Sequence, residues 1–147
     1  MSKVFRIYVK KREEFAVEAK EVLENLRVQL KLNNLKDLSI VNRYDVEGVS
    51  EEVLKTGIST ILSEPMVDDV YMEEYPSSGI TFAIEFLPGQ YDQRADACEQ
   101  CFSILTGAND VKVKCAKLYD VVGEDLDLDK IQKFLINPVD QRLASLD

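Results

Sequence analysis

The chain has 147 residues, 46% of them hydrophobic, and sets 18 Lys and Arg against 27 Asp and Glu for a net charge of −9. That size fits one domain or two small units sharing a core, and the apolar content is too high for a disordered chain. The acidity argues against a nucleic-acid surface, which needs clustered cations to displace counterions, and against an anionic membrane surface.

The cluster Lys10-Lys11-Arg12 is too short to reverse that balance. No apolar run approaches the roughly 20 residues that a membrane-spanning helix needs. Met1-Ser2-Lys3-Val4 leads straight into an alternating stretch, without the apolar core of a signal peptide. Three cysteines, an odd number, make no secreted disulfide framework, so the cytoplasm is the expected compartment. Histidine is absent, which excludes Ser-His-Asp and Cys-His machinery and any His-containing zinc site. The common phosphate-cradling glycine loops are missing as well. We therefore expect no catalytic residue, no cofactor site and no metal site in this chain.

In chain order, Phe5, Ile7 and Val9 alternate with Arg6, Tyr8 and Lys10, the pattern of a half-buried strand. A helical stripe follows at Phe15, Ala19, Val22, Leu23, Leu26 and Leu30, ended by Asn33-Asn34. A second strand is predicted from about Leu38 to Val46. Ser50 reads as the N-cap of a helix that opens with Glu51 and Glu52, buries Leu54, Ile58, Ile61 and Leu62, and stops at Pro65. A third strand, about Val67 to Tyr75, leads into the turn Pro76-Ser77-Ser78-Gly79.

The pattern then restarts. Ile80, Phe82 and Ile84 repeat Phe5, Ile7 and Val9 at an offset of 75 residues. The same offset carries Val22, Leu23, Leu26 and Leu30 onto Ala97, Cys98, Cys101 and Leu105, and Tyr44-Asp45 onto Tyr119-Asp120. After a two-residue slip, Leu54 and Ile58 meet Ile131 and Leu135. These matches predict an internal duplication. Residues 1–79 form the first half, 80–136 the second, and 137–147 begin a linker. No final strand is evident in the second half, because Asn137-Pro138 ends its last helix early. The expected fold is α+β: two pseudo-symmetric β-α-β-α(-β) halves, mainly antiparallel, with helices on one face. Halves of this size bury too little surface to stand alone, so they should share one interface.

Cys98-Glu99-Gln100-Cys101 invites a redox or metal reading. It lies inside a helix rather than at its N-terminus, and only Cys115 remains as a further thiol, so core packing is the simpler account. Glu124 to Asp129 resembles a calcium loop but lacks its glycine and its final glutamate; N-capping of the helix at Leu128–Leu135 fits better. Asp68-Asp69 and Glu73-Glu74 read as solvated charges. Asp92 is a candidate N-cap. Arg94 is the odd residue, because the 75-residue offset sets it on the buried stripe opposite Ala19. Either its stem snorkels past the helix end or its guanidinium pairs with a carboxylate or a partner surface, and the sequence leaves both readings open.

Leu87-Pro88-Gly89-Gln90-Tyr91-Asp92-Gln93-Arg94-Ala95-Asp96, Ala116-Lys117-Leu118-Tyr119 and Ile136-Asn137-Pro138-Val139-Asp140-Gln141-Arg142 resemble segments in the N-terminal domain of the large, single-chain phosphoribosylformylglycinamidine synthases. The resemblance extends over essentially the whole chain, though residues 1–79 match in pattern only. Ala97-Cys98 departs from it, where Ser followed by a small residue is expected. It implies a fold like a dimer of the small PurS subunit. It also implies a whole enzyme that uses ATP, Mg²⁺ and glutamine-derived ammonia in purine biosynthesis, with both catalytic regions beyond residue 147. The expected role is then a non-catalytic assembly domain whose partners are the synthetase and glutaminase regions. Gln90, Asp92, Gln93, Arg94 and Asp96 are candidate contacts with the synthetase, and Asn137 and Arg142 with the linker. A homodimer of the isolated domain stays open, since separation from an enzyme bares apolar surface. Two alternatives stand beside this reading: a small-molecule regulatory module binding between the halves, and a dithiol oxidoreductase at Cys98 and Cys101.

Overall fold

In a computed structural model, residues 3–146 are described. Ten regular elements follow in order: β1 (Val4–Lys11), α1 (Val17–Gln29), β2 (Leu35–Glu47), α2 (Glu51–Gly57), β3 (Asp68–Met72), β4 (Ile80–Phe86), α3 (Gln93–Thr106), β5 (Lys112–Gly123), α4 (Leu128–Leu135) and β6 (Gln141–Ala144). A single 3₁₀ turn at Glu13–Phe15 precedes α1, and α2 runs on into one wide turn at Ile58–Leu62. Ser50, Asp92 and Asp127 each accept a backbone N–H three residues on, so three of the four helices start at a side-chain cap.

The six strands form one antiparallel sheet in the order β3-β1-β2-β5-β4-β6. The order reads as two three-stranded halves meeting at β2 and β5. Registers repeat with it: Phe5 faces Val46 across β1–β2, and Ile80 faces Val121 across β4–β5, each residue 75 positions beyond its counterpart.

All four helices lie on the face that carries Phe5, Ile7, Tyr44, Phe82 and Tyr119. They cross over as they pack. Phe102 and Cys98 of α3 sit in a cluster with β1 and with Leu54 of α2, while Leu26 and Ala19 of α1 join Phe82 and Ile84 of β4 and Ile131 of α4. Each half therefore contributes a helix to the other half's core. Burial of these side chains is what ties the halves together, at roughly 1.5–3 kcal/mol for each large one.

The opposite face carries no helix of the described residues. Its buried residues, among them Tyr8, Val41, Ala83 and Leu118, lie under two crossing straps instead. One is the connection between halves: Tyr75 packs on Tyr8 with ring centres 6.0 Å apart, and the Ser78 and Gly79 N–H groups each reach the buried Asp120 carboxylate at 2.8 Å. Gly79 also comes so close to the Val121 carbonyl that no side chain fits there. The second strap is the segment after β6, where Ser145 O accepts from Arg43 at 2.7 Å and Leu146 O from Arg6 at 3.0 Å. Arg6 is itself forked onto Asp45 at 2.8 and 3.1 Å.

Three expectations need correction. The second half does end in a strand: Gln141–Ala144 pairs antiparallel with β4, inside the stretch expected to begin a linker. The helix offset is 76 rather than 75, because α1 starts at Val17 and α3 at Gln93. The buried residues of α3 are thus Ala95, Cys98 and Phe102, while Cys101 and Leu105 are exposed. Asp68 is buried, accepting the Glu64 N–H at 2.8 Å and paired with Lys11 at 3.3 Å.

Candidate functional site

Pro88 and Gly89 make the turn after β4. Proline supplies the fixed φ of the first corner, Gly89 takes φ +88° at the second, and Gln90 N closes onto Leu87 O at 3.0 Å. Leu87 N in turn donates to Asp140 O at 2.8 Å. Asp140 sits in a second tight turn, where Asn137 O accepts from Asp140 N and Gln141 N, and Asn137 Oδ1 accepts from Val139 N. Two segments about fifty residues apart in sequence are thereby held side by side.

Between them opens a cleft of about 740 Å³ on the helical face. Asp92, Gln93 and Arg94 at the start of α3 form one wall, and Phe86, Leu135 and Gln141 the other. Cys115, Lys117 and Tyr119 of β5 form its floor with Asn42 of β2. The size falls within the range of ligand and side-chain docking sites. A smaller cavity of about 140 Å³ lies beside the start of α1, lined by Lys10, Lys11, Ala16 and Ile40 among others.

The charges are unevenly engaged. Asp92 caps α3 through Ala95 N at 3.1 Å, Glu85 holds Arg142 at 2.7 Å, and Lys117 reaches Glu18 of α1 at 2.8 Å. Arg94 makes only a long 3.4 Å contact with the Tyr44 hydroxyl, and no ion pair of the described residues includes it. Burial pushes the Tyr44 phenol up to about 12, against the pull of Arg94, so it stays neutral and leaves the guanidinium charge uncompensated. Arg94 is exposed and lies one residue off the buried stripe. With the 76-residue offset its counterpart is Glu18, not Ala19. Its guanidinium reaches the Tyr44 hydroxyl, and no carboxylate of the described residues pairs with it.

Of the residues singled out by sequence, Asp92, Gln93 and Arg94 line the cleft. Gln90 closes the turn beside it. Asp96 is engaged by Tyr91 OH at 3.0 Å and Gln100 Nε2 at 2.8 Å. Asn137 organises the second turn, whereas Arg142 points to the strap face with Glu85. Asn42, Cys115 and Lys117 were not singled out as site residues, although Lys117 lies in the resembling segment 116–119.

The thiols do not form a site. Cys98 is buried, Cys101 exposed and Cys115 partly buried, all three free. Burial pushes Cys98 up to about 11 and Cys115 higher still, the opposite of an activated thiolate. Among the described residues no group of three or more His, Cys, Asp or Glu stands together as a metal site. No described helix is long and apolar enough to cross a membrane.

No protein-family model matches the chain, and no curated protein matches it. The functional reading therefore rests on the cleft and on the segments that surround it.

Proposed function

We propose that this chain is a non-catalytic assembly domain of a phosphoribosylformylglycinamidine synthase, a cytoplasmic enzyme of purine biosynthesis. In this reading it holds the synthetase and glutaminase regions in register, so that ammonia passes between them instead of escaping to water. Its contribution is positioning rather than bond-making. The observation that carries the reading is the convergence of the three resembling segments, 87–96, 116–119 and 136–142, each of which supplies lining or framing residues to one cleft. The single sheet built from two like halves fits the PurS-dimer arrangement that the resemblance implies.

The test is complementation. Residues 1–147 alone should show no turnover with ATP, glutamine and formylglycinamide ribonucleotide. Mixed with the separately produced synthetase and glutaminase regions, they should bind and restore activity. Full activity of those regions without residues 1–147 would overturn the assembly role.

The cleft volume also suits a second reading, a regulatory small-molecule site that takes residues from both halves. A thermal-shift screen with purine nucleotides separates the two, since only a bound ligand raises the melting temperature.

A further inference from the structure

α1 and α3 are equivalent helices on one face of one sheet, yet their outward surfaces differ. On α1 the outward positions Glu21, Asn25 and Gln29 are exposed and polar. Their equivalents 76 residues on, Ala97, Cys101 and Leu105, are also exposed but apolar or weakly polar. Ile104 extends this stripe and is 84% exposed, like its counterpart Val28 at 63%. The fold does not require apolar residues at the first three positions, because the other half does without them. Exposed, contiguous apolar side chains on one of two otherwise matched helices mark a surface meant to be covered.

The stripe runs into the cleft through Ala97, and Arg94 stands there without a carboxylate among the described residues. The nearby acids Asp92, Glu85 and Glu18 are each engaged elsewhere. A partner that buried this guanidinium without supplying an anion would strand a charge in a desolvated site. A carboxylate meets it with two parallel hydrogen bonds.

We propose that the α3 face from Arg94 through Ala97, Cys101, Ile104 and Leu105 docks a segment of the synthetase partner, one that carries an Asp or Glu carboxylate for Arg94 beside an apolar flank. The proposal rests on the assembly reading for the identity of the partner. The chemistry of the docking segment follows from the unpaired guanidinium and the asymmetry between α1 and α3.

The experiment measures binding of residues 1–147 to the remainder of the same enzyme by isothermal titration calorimetry at low and high salt. Arg94→Gln and Leu105→Glu should each raise Kd tenfold or more. Arg94→Lys, which keeps the charge but loses the fork, should fall between. Gln29→Glu, the matching change on α1, should leave Kd unchanged. All three positions are exposed, and an unaltered urea midpoint verifies that each variant folds. Wild-type binding that Arg94→Gln and Leu105→Glu leave intact overturns the proposal while sparing the assembly reading. Absence of wild-type binding overturns the assembly reading first. A wild-type homodimer that Leu105→Glu dissolves, with synthetase binding unchanged, assigns the face to a second copy and overturns the proposal as well.

Discussion

Asn42 and Lys117 are Cα partners across β2 and β5, and they are also equivalent residues of the two halves, 75 positions apart. A residue that pairs with its own counterpart marks the pseudo-two-fold axis. The flanking pairs obey it: Val41 faces Leu118, and Arg43 faces Ala116. The molecule is thus a two-fold dimer written in one chain, with its widest strand contact on the axis.

That relationship predicts how half of the chain behaves. Residues 1–79 alone would bare the β2 edge that β5 covers over its whole length, and would lose Phe82, Ile84 and Ile131 from around α1. A second copy can supply both, with Asn42 facing Asn42 and with Ile7, Val9 and Leu54 in the vacated places. The fragment should therefore fold as a homodimer, with a melting temperature that rises with concentration. Analytical ultracentrifugation that finds a folded monomer at micromolar concentration contradicts this.

The contact between α2 and α3 makes a second prediction. A Cβ on Gly57 would sit 2.3 Å from Cε1 of Phe102, a fully buried ring. Gly57→Ala should destabilise the protein by about 1–3 kcal/mol through overpacking. Phe102→Ala should cost about 3–5 kcal/mol through the cavity it leaves. Combined, the two should cost clearly less than their sum, because the methyl fills space the ring vacates. Urea unfolding of the four proteins measures the coupling, and strict additivity would show that the two side chains do not share one site.

Asp120 governs the strap between the halves. Its carboxylate takes two backbone N–H groups and is 2% exposed. Asp120→Ala leaves both donors unmet and should cost about 3 kcal/mol, on the scale of hydrogen bonds to charged groups. Amide exchange at Ser78 and Gly79 should accelerate in the variant. Exchange there at the wild-type rate would show that the strap is held by something else.

These residues also mark how far the amino-acid pattern alone reaches. Alternation at Phe5, Ile7, Val9 and at Ile80, Phe82, Ile84 announces strands that bury one face, and the equal spacing announces the repeat. The one-residue shift of α3 was hidden, because Ala97, Cys98, Cys101 and Phe102 are all apolar or small and fit either phase of a helix. Burial of Ala95, Cys98 and Phe102, imposed by packing over β1 and α2, decides between them. β6 escaped notice because Gln141 to Ala144 is short, mostly polar and directly behind Asn137-Pro138; only pairing with β4 makes it a strand. The cleft draws on β2, β4, α3, β5, α4 and β6, so no single stretch of sequence encodes it.

Buried thiols and phenols set the alkaline limit of the fold. Burial pushes the Cys98 thiol up to about 11 from 9.0, and the Tyr44 and Tyr119 phenols up to about 12 from 10.0. In each case the native state keeps a proton that the unfolded chain gives up at lower pH. The unfolded state therefore binds fewer protons across that interval, and stability falls as pH rises. The contribution is whole below pH 9, declines first as Cys98 and Cys115 of the unfolded chain ionise, and declines further above pH 10 as the tyrosines follow. Urea midpoints should be flat from pH 7 to 9 and drop steadily from 9 to 11. Cys98→Ala should make that drop shallower from its start at pH 9, with Cys115 and the tyrosines carrying the remainder. At pH 8 a thiol reagent should modify exposed Cys101 quickly, part-buried Cys115 more slowly through the cleft, and Cys98 only at the rate of unfolding. A midpoint constant up to pH 11, or fast labelling of all three cysteines, would place these side chains in water rather than in the core.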